Sequence, residues 1–262
     1  MNNNNEELCK ESIKKALADK AGGMDITLLE SVDSTNNYAK KLPVGGIKLV
    51  TAKMQTKGRG RLGREFFSSG GGIYMSLALP TDIAPEPNLC TIAAAVAVCR
   101  VIDKISDSTP GIKWVNDIFC DGKKVCGILC EGILTPDTTG LLAVIVGIGM
   151  NLYLDKKDFP EELRDIAGSV FPHSTSRNEI IAMLASEIID ILKEMTRKEI
   201  AEEYKSRLFI LGMNVTYKKD NIEYSGIAED INEYGNLIVN TGSEKVVLSS
   251  GEITLGSSAF SK

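Results

Sequence analysis

A chain of 262 residues, 43% of them hydrophobic and 25% charged, can bury one large core and a small satellite domain. Its net charge of -5 argues against a protein that coats nucleic acid, which carries a net basic face. The single histidine, His173, sits in the connector "FPHSTSRN"; this removes a His-rich zinc site and argues against a Ser-His-Asp or Cys-His apparatus.

The start, "MNNNNEELCK", is polar and has no apolar core after a basic stretch, so no signal peptide is expected. "CKESIKKALAD" has the pattern of a short amphipathic helix and "ITLLESV" that of a strand. "DSTNNYAKKL" predicts a helix capped by Ser34 or Thr35, with Tyr38 and Leu42 four apart. "IKLVTAKM" is strand-like, the segment "GRGRLGR" follows, and "IYMSLAL" (73 to 79) is a further strand. From Glu86 to Ile105, Leu89, Ile92, Ala93, Val96 and Val101 recur at helical spacing. "IKWVNDIFCDGKKVCGILCEGIL" predicts two strands around the turn Asp121-Gly122. The apolar run "LLAVIVGIGM" is half the ~20 residues that span a bilayer, so it predicts a buried strand and no membrane partner. Residues 176 to 210 are helical in pattern, with Ile180, Ile181, Leu184, Ile188, Ile191 and Leu192 on one face. After Leu211-Gly212, five short β-rich pieces divided by Gly and Asn predict a small antiparallel barrel or sandwich. The fold class is therefore α+β: a mixed domain over residues 1–211, with 1–25 as an N-terminal extension, and a small β domain over 212–262. Six scattered cysteines without a CxxC pair predict free thiols in a reducing cytoplasm.

Two constellations carry chemistry. From Ala52 to Arg64 there are five cations (Lys53, Lys57, Arg59, Arg61, Arg64) and no acid. Gly58, Gly60 and Gly63 let backbone N–H groups approach a ligand, so the segment suits an anion, most simply one bearing phosphate. The bland alternative is a solvated basic loop or an RGG-like RNA-binding segment. Against it, the loop is held between two strands and lacks the interleaved aromatics of a stacking platform. There is no GxxxxGK[ST] P-loop. In "KWVNDIFCDGKKVCGILCE", Lys113, Asn116 and Asp117 end one strand and Lys123-Lys124 begin the next, so the hairpin returns a lysine close to the Asn-Asp pair. Asp117 suits Mg²⁺ and Lys124 suits the meeting point of a carboxylate and a phosphate. Taken singly, these residues read better as turn chemistry and solvated charge; together with the basic loop they do not.

"DSTN", "QTKGRGRLGREF", "GGGIYMSLAL", "KWVNDI", "KKVCGILCE", "VGIGMNL" and "GEITLG", in that order, resemble the biotin–protein ligases over Ile26 to Gly256. The resemblance implies a seven-stranded mixed sheet packed by helices, a class II synthetase-like fold, followed by an SH3-like barrel. It implies an ATP-dependent ligase that makes biotinyl-5′-AMP and transfers biotin to a lysine of a biotin carboxyl carrier protein. By position, Ser34, Thr35, Asn36 and Gln55 would bind the ureido ring of biotin. Arg59, Gly60 and Arg61 would hold the carboxyl end and then the adenylate, and Lys124 would contact carboxylate and α-phosphate. Arg59, Arg61 and Lys124 form the catalytic set; Gly127 and Gly147 would floor the biotin site. Arg59, Arg61, Arg64, Phe66, Lys113, Trp114, Asn116, Asp117 and Asn151 would serve ATP, with Asp117 on Mg²⁺. Val115 replaces the usual proline, Phe66 stands where tryptophan is common, and Gly256 stands where some relatives place an arginine. The ~25 residues before Ile26 are too few for the winged helix of bifunctional members, so no DNA partner is expected, and a homodimer is left open. The alternatives are a lipoate or octanoate ligase of the same superfamily and a non-catalytic biotin sensor.

Overall fold

The computed structural model describes residues 7–219 and 222–255. Helix α1 (Lys10–Leu17) is followed by β1 (Met24–Val32), α2 (Thr35–Ala39), β2 (Ile47–Gln55) and β3 (Ile73–Pro80). Next come α3 (Pro87–Ile105), β4 (Gly111–Lys113), β5 (Asp117–Cys120), β6 (Lys123–Leu134) and β7 (Leu141–Met150). Helices α4 (Arg177–Glu194) and α5 (Arg197–Ser206) lead to β8 (Asn214–Lys219), β9 (Ile222–Ile231), β10 (Leu237–Asn240), β11 (Lys245–Leu248) and β12 (Ile253–Leu255).

The first seven strands form one mixed sheet in the order β1-β2-β3-β7-β6-β5-β4. Only β1 and β2 run parallel, with α2 lying in the connection between them; the other neighbours are antiparallel. The last five strands form a separate antiparallel sheet in the order β11-β10-β9-β8-β12.

Strand periodicity assigns the two faces of the large sheet. Leu77 and Leu79 on β3, with Val144, Val146 and Ile148 on β7, are buried in the main core, to which α3 and α4 contribute. Helix α3 is apolar nearly all round because it lies between the sheet on one side and α4 and α5 on the other. The opposite face presents Val50, Ala78 and Ile145, which pack with Ala39 of α2 in a small second core. Helix α2 has five residues, so it covers part of that face and leaves the rest as the floor of a cavity.

Three sequence expectations need correction. The expected two-stranded hairpin has three strands, because Trp114–Asn116 turns between β4 and β5 without Gly or Pro to mark it. The Trp114–Val115 peptide bond within that turn is cis. The helical stretch 176–210 is two helices: Thr196 accepts from the Glu199 backbone N–H, and the Glu199 carboxylate accepts from the Thr196 backbone N–H. Such a capping box is worth about 1 kcal/mol to the second helix and favours a fresh start there. Ser34 occupies the N-cap position of α2 but makes no side-chain cap bond, and Thr35 is already helical.

Candidate functional site

The cavity floor follows from strand register. Lys113 pairs with Asp117, Asp117 with Gly127, and Gly127 with Gly149, so these four stand in one row across β4, β5, β6 and β7. A second row joins Leu129, Gly147 and Ser76. Lys124 would face the other side by strict alternation from Gly127. The register shifts between Ile118 and Phe119, which places one extra residue on β6 and turns Lys124 onto the floor. Its Nζ lies 2.7 Å from Asp117 Oδ1. The two groups form an ion pair, with the Asp117 side chain 23% exposed. The sequence-level juxtaposition of Lys124 with the Asn-Asp pair is thus present in the structure.

At the α2 end the polar groups are bonded to one another. Asn36 donates both amide hydrogens, to Leu129 O at 3.1 Å and Glu131 Oε2 at 2.9 Å, and accepts from Ser76 Oγ at 2.7 Å. Gln55 Oε1 accepts from Thr35 N at 2.8 Å and Thr35 Oγ1 at 3.2 Å, while Nε2 donates to Ser68 Oγ at 2.9 Å. A Cβ on Gly147 would lie 2.1 Å from Asn36 Oδ1, so only glycine leaves room for that amide.

The segment "GRGRLGREF" is an ordered hairpin. Phe66 N donates to Gly58 O at 2.9 Å, Gly60 N donates to Arg64 O at 2.7 Å, and Arg59 bridges Glu65. Leu62 and Gly63 turn the tip at φ 54° and 75°. Each arginine has a separate anchor. Arg59 Nη1 donates to Asn37 Oδ1 and Glu131 Oε2, both at 3.0 Å. Arg61 Nη1 donates to Asn116 Oδ1 at 3.2 Å, and Arg64 takes both oxygens of Glu252, just before strand β12 of the C-terminal sheet. Phe66 lays its ring against the floor, where a Cβ on Gly149 would come within 2.6 Å of it.

The cavity is cationic, with Arg59 toward α2 and Arg61, Lys113 and Lys124 toward Asn116 and Asp117 at the β4–β5 end. Five cations (Arg59, Arg61, Arg64, Lys113, Lys124) and three acids (Glu65, Asp117, Glu252) line a cleft enclosing about 890 Å³, open mouth included. Burial pushes the Arg61 guanidinium below its ordinary value, with Asp117 opposing the shift. Burial does the same to the Lys113 ammonium, against the attraction of Asp117 and Glu252. Both directions mean that positive charge is held there at a desolvation cost that a bound anion would offset. The turn carrying Asn116 is fixed from two sides: Trp114 Nε1 donates to Gly235 O and Tyr204 Oη to Val115 O, both at 2.8 Å. No nucleophilic thiol is available nearby, since burial pushes Cys130 up to about 12 and Cys126 well above its ordinary value. Among the described residues, no group of three or more His, Cys, Asp or Glu side chains could hold a metal ion by itself. Asp117, whose carboxylate Lys124 already pairs, offers one protein ligand for a Mg²⁺ whose other ligands come with a nucleotide.

One cavity therefore gathers Ser34, Thr35, Asn36, Gln55, Arg59, Gly60, Arg61, Arg64, Phe66, Lys113, Trp114, Asn116, Asp117, Lys124, Gly127 and Gly147. Asn151 is not brought in. It is buried beyond the end of β7, donating to Gly168 O at 3.0 Å, so its expected role with ATP has no direct basis in this arrangement. Gly256 lies outside the described residues. Sequence reasoning missed Gly149, which the alternating glycines of "VGIG" could have revealed, and also Glu131, Ser76 and Glu252, which carry no local signal.

The model of the Biotin/lipoate A/B protein ligase family matches residues 28–151, and that of the Biotin protein ligase C terminal domain matches residues 210–256. The bifunctional ligase/repressor BirA of Bacillus spizizenii is 33% identical over 264 residues, spanning 95% of this chain and 80% of that protein. The biotin–[acetyl-CoA-carboxylase] ligase of Mycobacterium tuberculosis is 27% identical, over 89% of this chain and 90% of that protein. The biotin protein ligase of Aquifex aeolicus, solved with biotin and ATP, superposes with a TM-score of 0.76 at 28% identity, covering 88% of this chain and 98% of that one.

Proposed function

The chain belongs to the biotin protein ligase family, and from that premise we propose that it activates biotin with ATP as biotinyl-5′-AMP and passes the biotinyl group to a lysine of a biotin carboxyl carrier protein. In the first step the biotin carboxylate oxygen attacks the α-phosphorus and pyrophosphate leaves. In the second, the acceptor amine attacks the acyl carbon and AMP leaves. The obstacle in the first step is repulsion between two anions, on the order of 4 kcal/mol at 4 Å and an effective dielectric of ~20. Preplaced cations reverse that sign without reorganising.

The observation that carries the reading is Lys124, turned by a β-bulge onto a floor of glycines with Asp117 beside it. It stands between the amide-lined α2 end and the cationic β4–β5 end, where a carboxylate and an α-phosphate would meet. Ser34, Thr35 and Gln55 would meet the ureido ring over Gly127 and Gly147. Asn36, whose amide hydrogens are already spent, would shape that end and offer one free lone pair. Arg59 and Arg61 would hold the carboxyl end and the adenylate, and Lys113 and Arg64 would face phosphates. Phe66 and Trp114 would flank the nucleotide, and Asn116 and Asp117 would serve phosphate-borne Mg²⁺.

The deciding assay is biotin-dependent ATP–pyrophosphate exchange, with mass spectrometry for biotinyl-AMP. Exchange with biotin and none with lipoate is the expected result. Exchange driven by lipoate alone would move the chain to the lipoate branch, and no exchange with either would make it a binding protein.

A further inference from the structure

Glu131 lies on the same face of β6 as Gly127 and Leu129, just beyond the cavity lining, and its side chain is only 18% exposed. Oε2 accepts from Asn36 Nδ2 at 2.9 Å and Arg59 Nη1 at 3.0 Å, and Oε1 accepts from Lys40 Nζ at 2.6 Å. Burial alone would push this carboxyl up, but the bonds from Lys40 and Asn36 and the charge of Arg59 hold it below its ordinary value. A half-buried carboxylate kept charged between two cations needs both, because removing either would leave one of its oxygens without its charged partner.

We infer that Glu131 is a positioning residue that fixes Arg59 by one end of its guanidinium and so sets the affinity for the acid end of the substrate. The inference rests on the proposed reading of the site. Arg59 spends Nη1 on Asn37 and Glu131, while Nε and Nη2 make no hydrogen bond among the described residues. A planar fork anchored at one edge presents its other edge in a fixed direction, as two-point capture of a carboxylate requires. Lys40 completes the arrangement. With Arg59 and Glu131 alone, the two charges would cancel and the attraction for an incoming anion with them. Lys40 supplies a second positive charge from outside the cavity, so the cluster keeps a net charge of one that Arg59 presents inward.

The test is calorimetric binding of biotin and of biotinol, its neutral alcohol analogue, to wild type and to Glu131→Gln. The substitution keeps shape and removes charge. Neutralising Glu131 raises the local net charge from one to two, so charge alone would tighten biotin. Loss of the fixed fork should outweigh this and weaken biotin about tenfold, the scale of one charge-assisted anchor, while biotinol changes by less than about twofold. Tighter biotin binding would overturn the proposal. Equal weakening of both ligands would show that Glu131 acts through Asn36 or the fold and would overturn the proposal, as would unchanged binding of both. A second comparison guards against a folding defect. In an Arg59→Gln background, adding Glu131→Gln should alter biotin affinity by less than about twofold, because the group it acts through is gone. A full additive loss there overturns the proposal. Failure of the wild type to bind biotin at all would overturn the functional reading first, and this inference with it.

Discussion

At the α2 end of the cavity, Asn36 spends both amide hydrogens and Gln55 Oε1 accepts two bonds, all within the protein. At the β4–β5 end, Lys113 has no ion-pair partner among the described residues, and burial lowers both it and Arg61. One end is finished before any ligand arrives; the other holds positive charge that its surroundings under-compensate. A rigid end whose amides are already bonded can discriminate shape and hydrogen-bond pattern, because misfit leaves bonded groups with nowhere to go. An under-paired cationic end can attract and stabilise developing negative charge, because its dipoles and charges are already in place. The comparison also predicts that salt should weaken ligand contacts at the cationic end and leave the α2 end nearly unchanged.

The largest effect should come from the group at the junction. Lys124→Ala removes the cation beside Asp117 and leaves that half-buried carboxylate without its ion-pair partner. Pyrophosphate exchange should fall by about 10²–10³, the scale for deleting one preorganised electrostatic contact, with the circular dichroism spectrum unchanged. Exchange within tenfold of wild type would remove Lys124 from the chemistry and leave the junction without a distinguishing residue.

Arg61→Gly probes the same end at a later moment. If Arg61 mainly attracts ATP, its loss raises the KM for ATP and lowers labelling of all acceptors together. If it clamps the formed adenylate, synthesis continues and the intermediate escapes about ten- to a hundredfold faster, the cost of one charge-assisted contact of ~1.5–3 kcal/mol. The clamp is the expected outcome, seen as biotinylation of a bystander such as serum albumin on streptavidin blots. Unchanged bystander labelling together with unchanged intermediate release would return Arg61 to a solvated surface role.

Gly147→Ala breaks the finished end. The new Cβ would stand 2.1 Å from Asn36 Oδ1, and the amide cannot swing away without dropping its bonds to Ser76, Leu129 and Glu131. Overpacking of this kind costs about 1–3 kcal/mol. Biotin affinity should fall roughly five- to a hundredfold while ATP affinity stays within about twofold, by calorimetry with each ligand alone. Parallel loss of both would mean the two ends are one mechanical unit, and the contrast between them would be lost.

The cationic end was more legible in the sequence than its geometry. "GRGRLGR" announces charge and close backbone approach, but the anchors of its arginines are lone acids far along the chain, Glu131 and Glu252, with no pattern around them. Strand alternation is local information, so Gly147 and Gly149 could be placed on one face from the sequence; only strand pairing shows that Gly149 stands opposite Gly127. The turn at Trp114–Asn116 was invisible because tertiary bonds from Tyr204 and to Gly235 hold it, in place of the Gly or Pro that marks a self-sufficient turn. The break before α5 was written in "TRKE" and overlooked beneath a continuous helical period. Asn151 is the converse case: a position carried over from a motif, whose side chain donates to Gly168 O and lies outside the cavity lining.

The smallest expected effect concerns the link between the two sheets. Arg64 pairs with Glu252, and both side chains are well exposed, 66% and 39%. Pairs in that setting are worth about 0.2–1 kcal/mol and fade with salt. Yet this pair ties the hairpin over the cavity to the strand β12 connection, so cutting it should loosen the cover without touching the floor. Glu252→Gln should therefore speed release of the intermediate by at most about fivefold at low salt. The melting temperature should stay within about 4 °C of wild type. Raising ionic strength to about 0.5 M, where the Debye length is only about 4 Å, should shrink the difference, since exposed pairs weaken with salt. The discriminating measurement is the release rate across a salt series. A difference that persists at high salt would mean that the C-terminal sheet holds the hairpin by packing, and that the cationic end is more rigid than its exposed charges suggest.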